Sequence, residues 1–241
     1  MPDGGRFIMT IPLAPYRCPP GPYERACVVA DWLKRNKPHS KVLVFDANPR
    51  IIAEPNNFGR AFRDLYGDLL TYTPSTTVSR VDVNAKRVYF TSGFSEYGDV
   101  LNVIPNQTAG RIVQASYLDN ASTLAGGRFA GVNVLSYEST ARDDVHVIGD
   151  SSSTTQPKAG HVANQEAKVC ADAIIRLFLG LPLDPAPVTN SACYSPITFE
   201  TASWLSVVYQ FDPVSMTMKP APNAFVEAEK VSKDQYEEMF I

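Results

Sequence analysis

The chain has 241 residues, 44% of them apolar, and a formal net charge of −3 with Lys and Arg dispersed along it. That apolar share supports a packed core of one large or two ordinary domains, and the lack of a basic stripe argues against nucleic acid or an anionic membrane surface as partner. The longest apolar runs, such as Ile174 to Leu183 broken by Arg176 and Gly180, are too short to span a bilayer, and no charged-then-apolar leader is read at the start.

Residues 6 to 12 predict a strand ended by proline, followed by a Pro-rich loop from Leu13 to Pro22. A helix follows: Pro22 suits a first helical position, Glu24 the first turn, Ala26, Val29, Ala30 and Leu33 the apolar face, and Lys34 to Pro38 the stop. The near-continuous apolar run Lys41 to Asp46 is that of a doubly covered parallel strand, which completes a βαβ unit. Asp46 stands where a dinucleotide fold places its ribose-binding carboxylate, but the turn before the helix carries three prolines and one glycine between Ala14 and Gly21. Bulky rings there block a pyrophosphate, so the expectation is a dinucleotide fold without its nucleotide and an Asp46 at a solvated strand end.

Phe58 to Tyr66 reads as helical, with strands at Leu69 to Tyr72, Thr77 to Asn84 and Arg87 to Ser92, the last two joined by a turn at Asn84-Ala85-Lys86. Tyr97 to Pro105 reads as a buried strand. Asn106 to Asp144 has mixed patterning, with Gly126-Gly127 in a loop and an apolar patch at Gly131 to Leu135. After Leu183 the composition turns to Pro, Ser and Thr with β-rich pieces at Pro196 to Glu200, Ala202 to Phe211 and Met216 to Pro220, and the ending from Val231 to Phe240 reads as a helix without a stop.

Four cysteines, Cys18, Cys27, Cys170 and Cys193, show no C-x-x-C spacing, and with three His in the chain no metal site is expected. Cys27 and Cys170 lie on apolar helical stretches and read as buried inert thiols. Cys18 and Cys193 sit among Pro, Tyr, Ser and Gly, which predicts loops. They are the pair with a chemical reading.

Val145-His146-Val147-Ile148-Gly149-Asp150 reads as a short buried strand ending in Gly-Asp, and Pro157-Lys158-Ala159-Gly160-His161 opens a helix running to about Leu179, stopped by Gly180 and Pro182. In flavoproteins with two dinucleotide folds this pairing closes the FAD site: the strand delivers a carboxylate, and the helix start offers free N–H groups and a positive dipole end. The Gly-rich turn that cradles the pyrophosphate in such proteins has no counterpart in these residues, so the chain reads as the later part of a larger enzyme. Gly149, Asp150, Lys158, Ala159 and Gly160 are the expected cofactor-binding residues.

Six segments together resemble the flavoprotein subunit of flavocytochrome c sulfide dehydrogenase, a family related to sulfide:quinone oxidoreductase. They are Pro2 to Phe7, Tyr16 to Arg25, Val100 to Pro105, Val145 to Asp150, Pro157 to Lys168, and Asn190 to Ser195. The resemblance implies an α/β chain in three parts: a Rossmann-like, three-layer dinucleotide-binding domain over 1–112, the C-terminal half of an FAD-binding domain over 113–184, and a small α+β flavin-binding domain over 185–241. It implies that Cys18 and Cys193 form a redox-active disulfide over the flavin, that sulfide is oxidised there, and that FAD passes the electrons to a c-type cytochrome subunit in the periplasm. Arg17 is expected to favour the anionic form of a nearby sulfur. Glu24 is either the proton handler of that exchange or a first-turn acid, and Lys158 either meets negative charge on the flavin or is solvated. His161 reads as a structural first-turn histidine, and Tyr194 and Trp204 as core residues. Alternatives are a quinone- or NADH-linked relative, or a non-catalytic electron-transfer docking module.

Overall fold

The computed structural model describes residues 1–120 and 127–239. Gly126 of the expected Gly126-Gly127 loop and Phe240 of the expected terminal helix lie outside them.

The apolar runs near the start do what their patterning predicts. Strands β1 (Arg6–Ile11), β2 (Lys41–Asp46), β3 (Leu70–Thr73) and β7 (Val100–Val103) form a parallel sheet in the order β3-β2-β1-β7. Helix α1 (Gly21–Asn36) covers β1 and β2 with Tyr23, Ala26, Cys27, Ala30 and Leu33. Because β7 is the sheet's edge it is half-exposed, not buried as its composition suggests. Helix α2 (Pro55–Arg60) continues as one π-type turn over Ala61–Leu65. The expected hairpin excursion is present as an antiparallel sheet of β4 (Val78–Asp82), β5 (Arg87–Phe90) and β6 (Ser95–Tyr97), packed on the main sheet through Phe45, Val88 and Phe90.

Asp46 is a correction. It is buried, and its carboxylate accepts from the hydroxyls of Tyr23 and Tyr72, each at 2.8 Å, and from the backbone and side-chain nitrogens of Asn48. Both oxygens are committed inside the protein, which fits a turn that no longer receives a ribose.

The middle of the chain has short helix α3 (Arg111–Ala115) and a small sheet of β8 (Ala130–Asn133), β9 (Glu138–Ser139) and β10 (Ser152–Ser153). Val145 to Ile148 is extended but makes only an isolated bridge, Glu138 to His146, and Ile148 is exposed, so it is not the buried strand its sequence predicts. Its pairing is limited to that one bridge to β9, flanked by the Ser139 N–H to Val145 carbonyl and Val147 N–H to Tyr137 carbonyl bonds, too short a ladder for a strand. Helix α4 (Gly160–Phe178) follows, within a residue of expectation.

The last sheet is antiparallel: β11 (Val188–Pro196), β12 (Ala202–Asp212) and β13 (Thr217–Glu227). Cys193 therefore lies on a strand, not in a loop, while of the β-rich piece expected over Pro196 to Glu200 only Pro196 is strand, and the rest lies in the turn joining β11 to β12. Strand β13 continues through Pro220 and Pro222 because it is an edge strand, where a missing N–H costs no ladder bond, and its register shifts opposite Val207 and Tyr209. Helix α5 (Lys233–Glu238) is capped by Ser232, whose hydroxyl accepts from the N–H of Gln235. The sheet is fastened to the first unit by Asn57, whose amide donates to Ser203 Oγ and to the carbonyl of Ala228, and by the Tyr66 hydroxyl, which donates to the Ile197 carbonyl. None of the helices of the described residues is long and apolar enough to cross a membrane.

Candidate functional site

The start of α4 is the hub. Cys18 donates its N–H to the Lys158 carbonyl at 2.7 Å, and Ala192, the neighbour of Cys193, donates its N–H to His161 Nδ1 at 3.0 Å. The five-residue segment from Pro157 to His161 is thus held between the two cysteine segments, which are 175 positions apart in sequence. His161 has the structural role expected of it.

A cleft of about 470 Å³ opens beside this segment. Its walls include Tyr16 and Pro20 from the turn before α1, Lys158 and Ala159 from the start of α4, and Cys193 and Phe225 from the last sheet. The walls are mostly apolar, but the helix start adds polar character: Ala159 is extended, no side chain caps α4, and the first intrahelical bond recorded there is from Ala163 N–H to the Ala159 carbonyl. The first N–H groups of a helix have no partner within it. Ser191 supplies a second polar feature, because its buried hydroxyl lines the cleft without a hydrogen-bond partner.

Cys18 belongs to a second cleft of about 370 Å³, lined by Arg17, Cys18, Glu24, Arg25 and Gln107. Tyr16 lines both clefts. Both Cys18 and Cys193 are free thiols, and each is held protonated to higher pH than an ordinary cysteine. Burial raises the Cys193 thiol to about 11, with Cys18 and Glu54 adding to it. For Cys18 the causes are burial of the sulfur and then the Glu24 carboxylate, opposed by the Gly21 N–H and Arg25. Arg17, expected to activate a sulfur, instead pairs through Nε with Asp150 at 2.9 Å. This is a correction: the cation acting on Cys18 is Arg25, and the net shift is upward.

The other sequence-predicted residues divide. Glu24 sits in the first turn of α1 on the Cys18 cleft, its carboxyl raised by burial against the pull of Arg25. Lys158 is buried, and Nζ donates to the carbonyls of Asp150 and Ser152 at 2.9 and 2.7 Å while lying 3.7 Å over the Phe129 ring. Burial lowers its pKa to about 8. Its ammonium is held by these carbonyls and not solvated, and it fastens the Gly149–Ser152 turn to the segment that opens α4. Gly149 and Asp150 lie in that turn, outside the cleft lining, and Gly160 opens the helix. Tyr194 and Trp204 form a cross-strand pair away from the cleft lining, and Tyr194, expected in the core, is exposed and donates to Glu238. Cys27 and Cys170 are buried, as predicted.

Two acids carry weight that sequence reading gave them no sign of. Glu166, inside α4, accepts from the Gly149 N–H and the Ser152 hydroxyl, with burial raising its pKa to about 7. Glu54 is fully buried beside the cleft wall at Ile52 and Ala53.

Residues 1–105 match the family model described as the central part of the sulfide dehydrogenase [flavocytochrome c] flavoprotein chain. Three solved structures share the fold. The sulfide:quinone oxidoreductase of the hyperthermophilic bacterium Aquifex aeolicus matches with a TM-score of 0.71 at 14% identity, over 98% of this chain and 56% of that one. A chain of the Tetrahymena thermophila mitochondrial ATP synthase matches at 0.65 and 14% identity, over 86% and 51% respectively. An NAD-dependent persulfide reductase from A. fulgidus matches at 0.53 and 15% identity, over 84% and 36%. The chain thus spans about half the length of the first two and about a third of the last. At these identities the likeness is one of fold, and fold alone does not decide activity. The family match is the more specific finding: residues 1–105 are similar to the central region of the sulfide dehydrogenase [flavocytochrome c] flavoprotein chain.

Proposed function

We propose that this chain is the sulfide-oxidising part of an FAD-dependent flavoprotein, with Cys18 and Cys193 as its redox-active pair. The observation that carries this reading is the placement of the two cysteines on separate clefts, both tied to the start of α4. The 470 Å³ cleft fits a flat, largely apolar ring with a polar edge: Ala159 and Gly160 offer helix N–H groups, and Ser191 an unpartnered buried hydroxyl. Gly149 and Asp150 hold the neighbouring turn for the rest of the cofactor. FAD, when bound, would supply a two-electron acceptor, and Cys193 lines the cleft that would hold it.

In the oxidised pair, hydrosulfide entering the Cys18 cleft attacks Cys18 Sγ. The new S–S bond forms as the Cys18–Cys193 bond breaks, and Cys193 leaves as a thiolate. A second hydrosulfide attacks the outer sulfur of the Cys18 persulfide and departs with it as hydrogen disulfide, leaving Cys18 as a thiolate. Glu24 takes the released proton. With a two-electron acceptor in place the two thiolates would re-form the disulfide, so that two hydrosulfides would give one hydrogen disulfide, one proton and two electrons. A c-type cytochrome subunit is the proposed final acceptor, and the periplasm, where such a disulfide persists, the proposed compartment. An NADH-linked reaction is disfavoured by the prolines of the β1–α1 turn and the committed Asp46.

Thiol titration of flavin-loaded protein tests the pair, with two thiols expected before mild reduction and four after. Sulfide is expected to bleach the flavin, and Cys18→Ser or Cys193→Ser to abolish the bleaching. Four thiols in the untreated, air-oxidised protein would overturn the reading, and quinone in place of cytochrome as the efficient acceptor would reassign the electron exit.

A further inference from the structure

One buried acid has no part in the reaction above. Glu54 is 0% exposed and adopts a left-handed backbone conformation, φ 48° and ψ 52°, immediately before α2. A non-glycine residue is held there at a conformational cost and clusters at functional positions. Its Oε1 accepts from Ser195 Oγ at 2.6 Å, while Oε2 is buried with no hydrogen-bond partner. Ser191, Cys193 and Ser195 occupy alternate positions of β11 and so share one face of the strand. Through its bond to Ser195, Glu54 thus meets the face of β11 that Cys193 shares.

We infer that Glu54 is the proton reservoir for Cys193: it supplies the proton that neutralises the Cys193 thiolate as the disulfide opens and takes that proton back as the disulfide closes. The exchange balances. Hydrosulfide, the disulfide and neutral Glu54 give Cys18 persulfide, Cys193 thiol and the Glu54 carboxylate, so the buried wall holds one negative charge in place of a bare thiolate. The groups facing Glu54 favour this division. Cys27 and Glu24 act from α1, Cys193 and the Ser195 hydroxyl from β11, Ser203 from β12 and Glu227 from β13. Burial, reinforced by Glu227 and Glu24 and opposed by the serines, raises Glu54 to about 7 against about 11 for the Cys193 thiol. The proton therefore runs downhill from carboxyl to thiolate. A carboxyl fixed far above neutral would not release it, and an ordinary one would not hold it.

The proton exchange rests on the disulfide reading, but the charge coupling does not, and two measurements separate them. An infrared difference spectrum between oxidised and reduced flavin-loaded protein is expected to lose a protonated-carboxyl band on reduction, with the band absent in Glu54→Gln and shifted in frequency in Ser195→Ala. In fully reduced protein, alkylation of Cys193 followed by mass spectrometry between pH 7.5 and 9 is expected to run about threefold faster in Glu54→Gln, the gain for lowering a thiol pKa by half a unit. Should Glu54→Gln fail to fold, the wild-type spectrum and Ser195→Ala carry the test. An unchanged carboxyl region on reduction in a protein shown to contain the disulfide overturns the proton exchange. Identical alkylation profiles overturn the coupling. Absence of any disulfide together with faster alkylation would sink the proposed reaction and leave the coupling standing.

Discussion

Cys18 shows how much a single neighbouring position can decide. It has a positive φ of 52°, and its Sγ would stand 3.0 Å from a Cβ added at Gly21. The run Cys18-Pro19-Pro20-Gly21 thus folds the sulfur back over the first residue of α1, and only a glycine leaves it room. Gly21→Ala separates stability from chemistry. Alanine is a better helix former by up to about 1 kcal/mol, so thermal stability is expected to hold or rise slightly. The sulfur, meanwhile, must give way by a few tenths of an ångström from its packed place. Closure of the disulfide is expected to slow roughly tenfold, or about 1.4 kcal/mol, since bond formation between two sulfurs demands narrow geometry. Stopped-flow monitoring of disulfide formation checks this, and a variant that closes at the wild-type rate would show the contact to be incidental.

The elements that were legible in the sequence are those whose pattern is local. β1 and β2 carry dense branched and aromatic residues, α1 has proline at its start, and α4 ends at Gly180 with Pro182 beyond, so each was placed to within about a residue. β11 was not, because its inward positions are Thr189, Ser191, Cys193 and Ser195, which lack the bulky signature of a strand. Glu54 was invisible for another reason: its partner Ser195 is 141 residues away, and nothing near Glu54 marks the contact. Val145 to Asp150 shows the converse case, a strand-like composition whose segment makes a single bridge to β9 before its end meets α4. What fixes that segment is Gly149, with φ of 67° and a prospective Cβ only 3.1 Å from Ala163 Cβ, together with its N–H bond to Glu166. Gly149→Ala is expected to cost about 2–3 kcal/mol in urea unfolding, part from the left-handed backbone and part from overlap with α4. Adding Ala163→Gly is expected to recover only the overlap part, less the cost of a glycine inside a helix. Full recovery would mean that the backbone conformation contributes nothing.

At the scale of the whole molecule, the buried acids set how stability depends on pH. Burial raises Glu54 and Glu166 each to about 7 from an ordinary 4.5. Between those values the folded chain binds more protons than the unfolded chain, so the stability they contribute is fully present below about pH 4.5 and is lost as pH rises through 7. The acids shifted the other way, Asp3, Asp99 and Asp212, are surface groups whose favourable interactions are complete by pH 5, so they do not offset the loss above it. Lys158 acts later. Its pKa of about 8 makes the folded chain the poorer proton binder from there up to 10.5, which raises stability with pH, while the raised thiols of Cys27 and Cys193 pull the opposite way. The clean window is therefore pH 5 to 7.5, where unfolding free energy is expected to fall by about 2 kcal/mol for each of the two acids. Glu54→Gln and Glu166→Gln are each expected to flatten part of that slope, and the double variant most of it, because the two sit on different elements and share no hydrogen-bond partner. Urea titrations at pH 5.0, 6.0 and 7.5 measure it directly. A stability that stays level or rises across this window would mean that both carboxyls are ionised in the folded protein, and with that the charge arrangement around Cys193 and at the start of α4 would have to be redrawn.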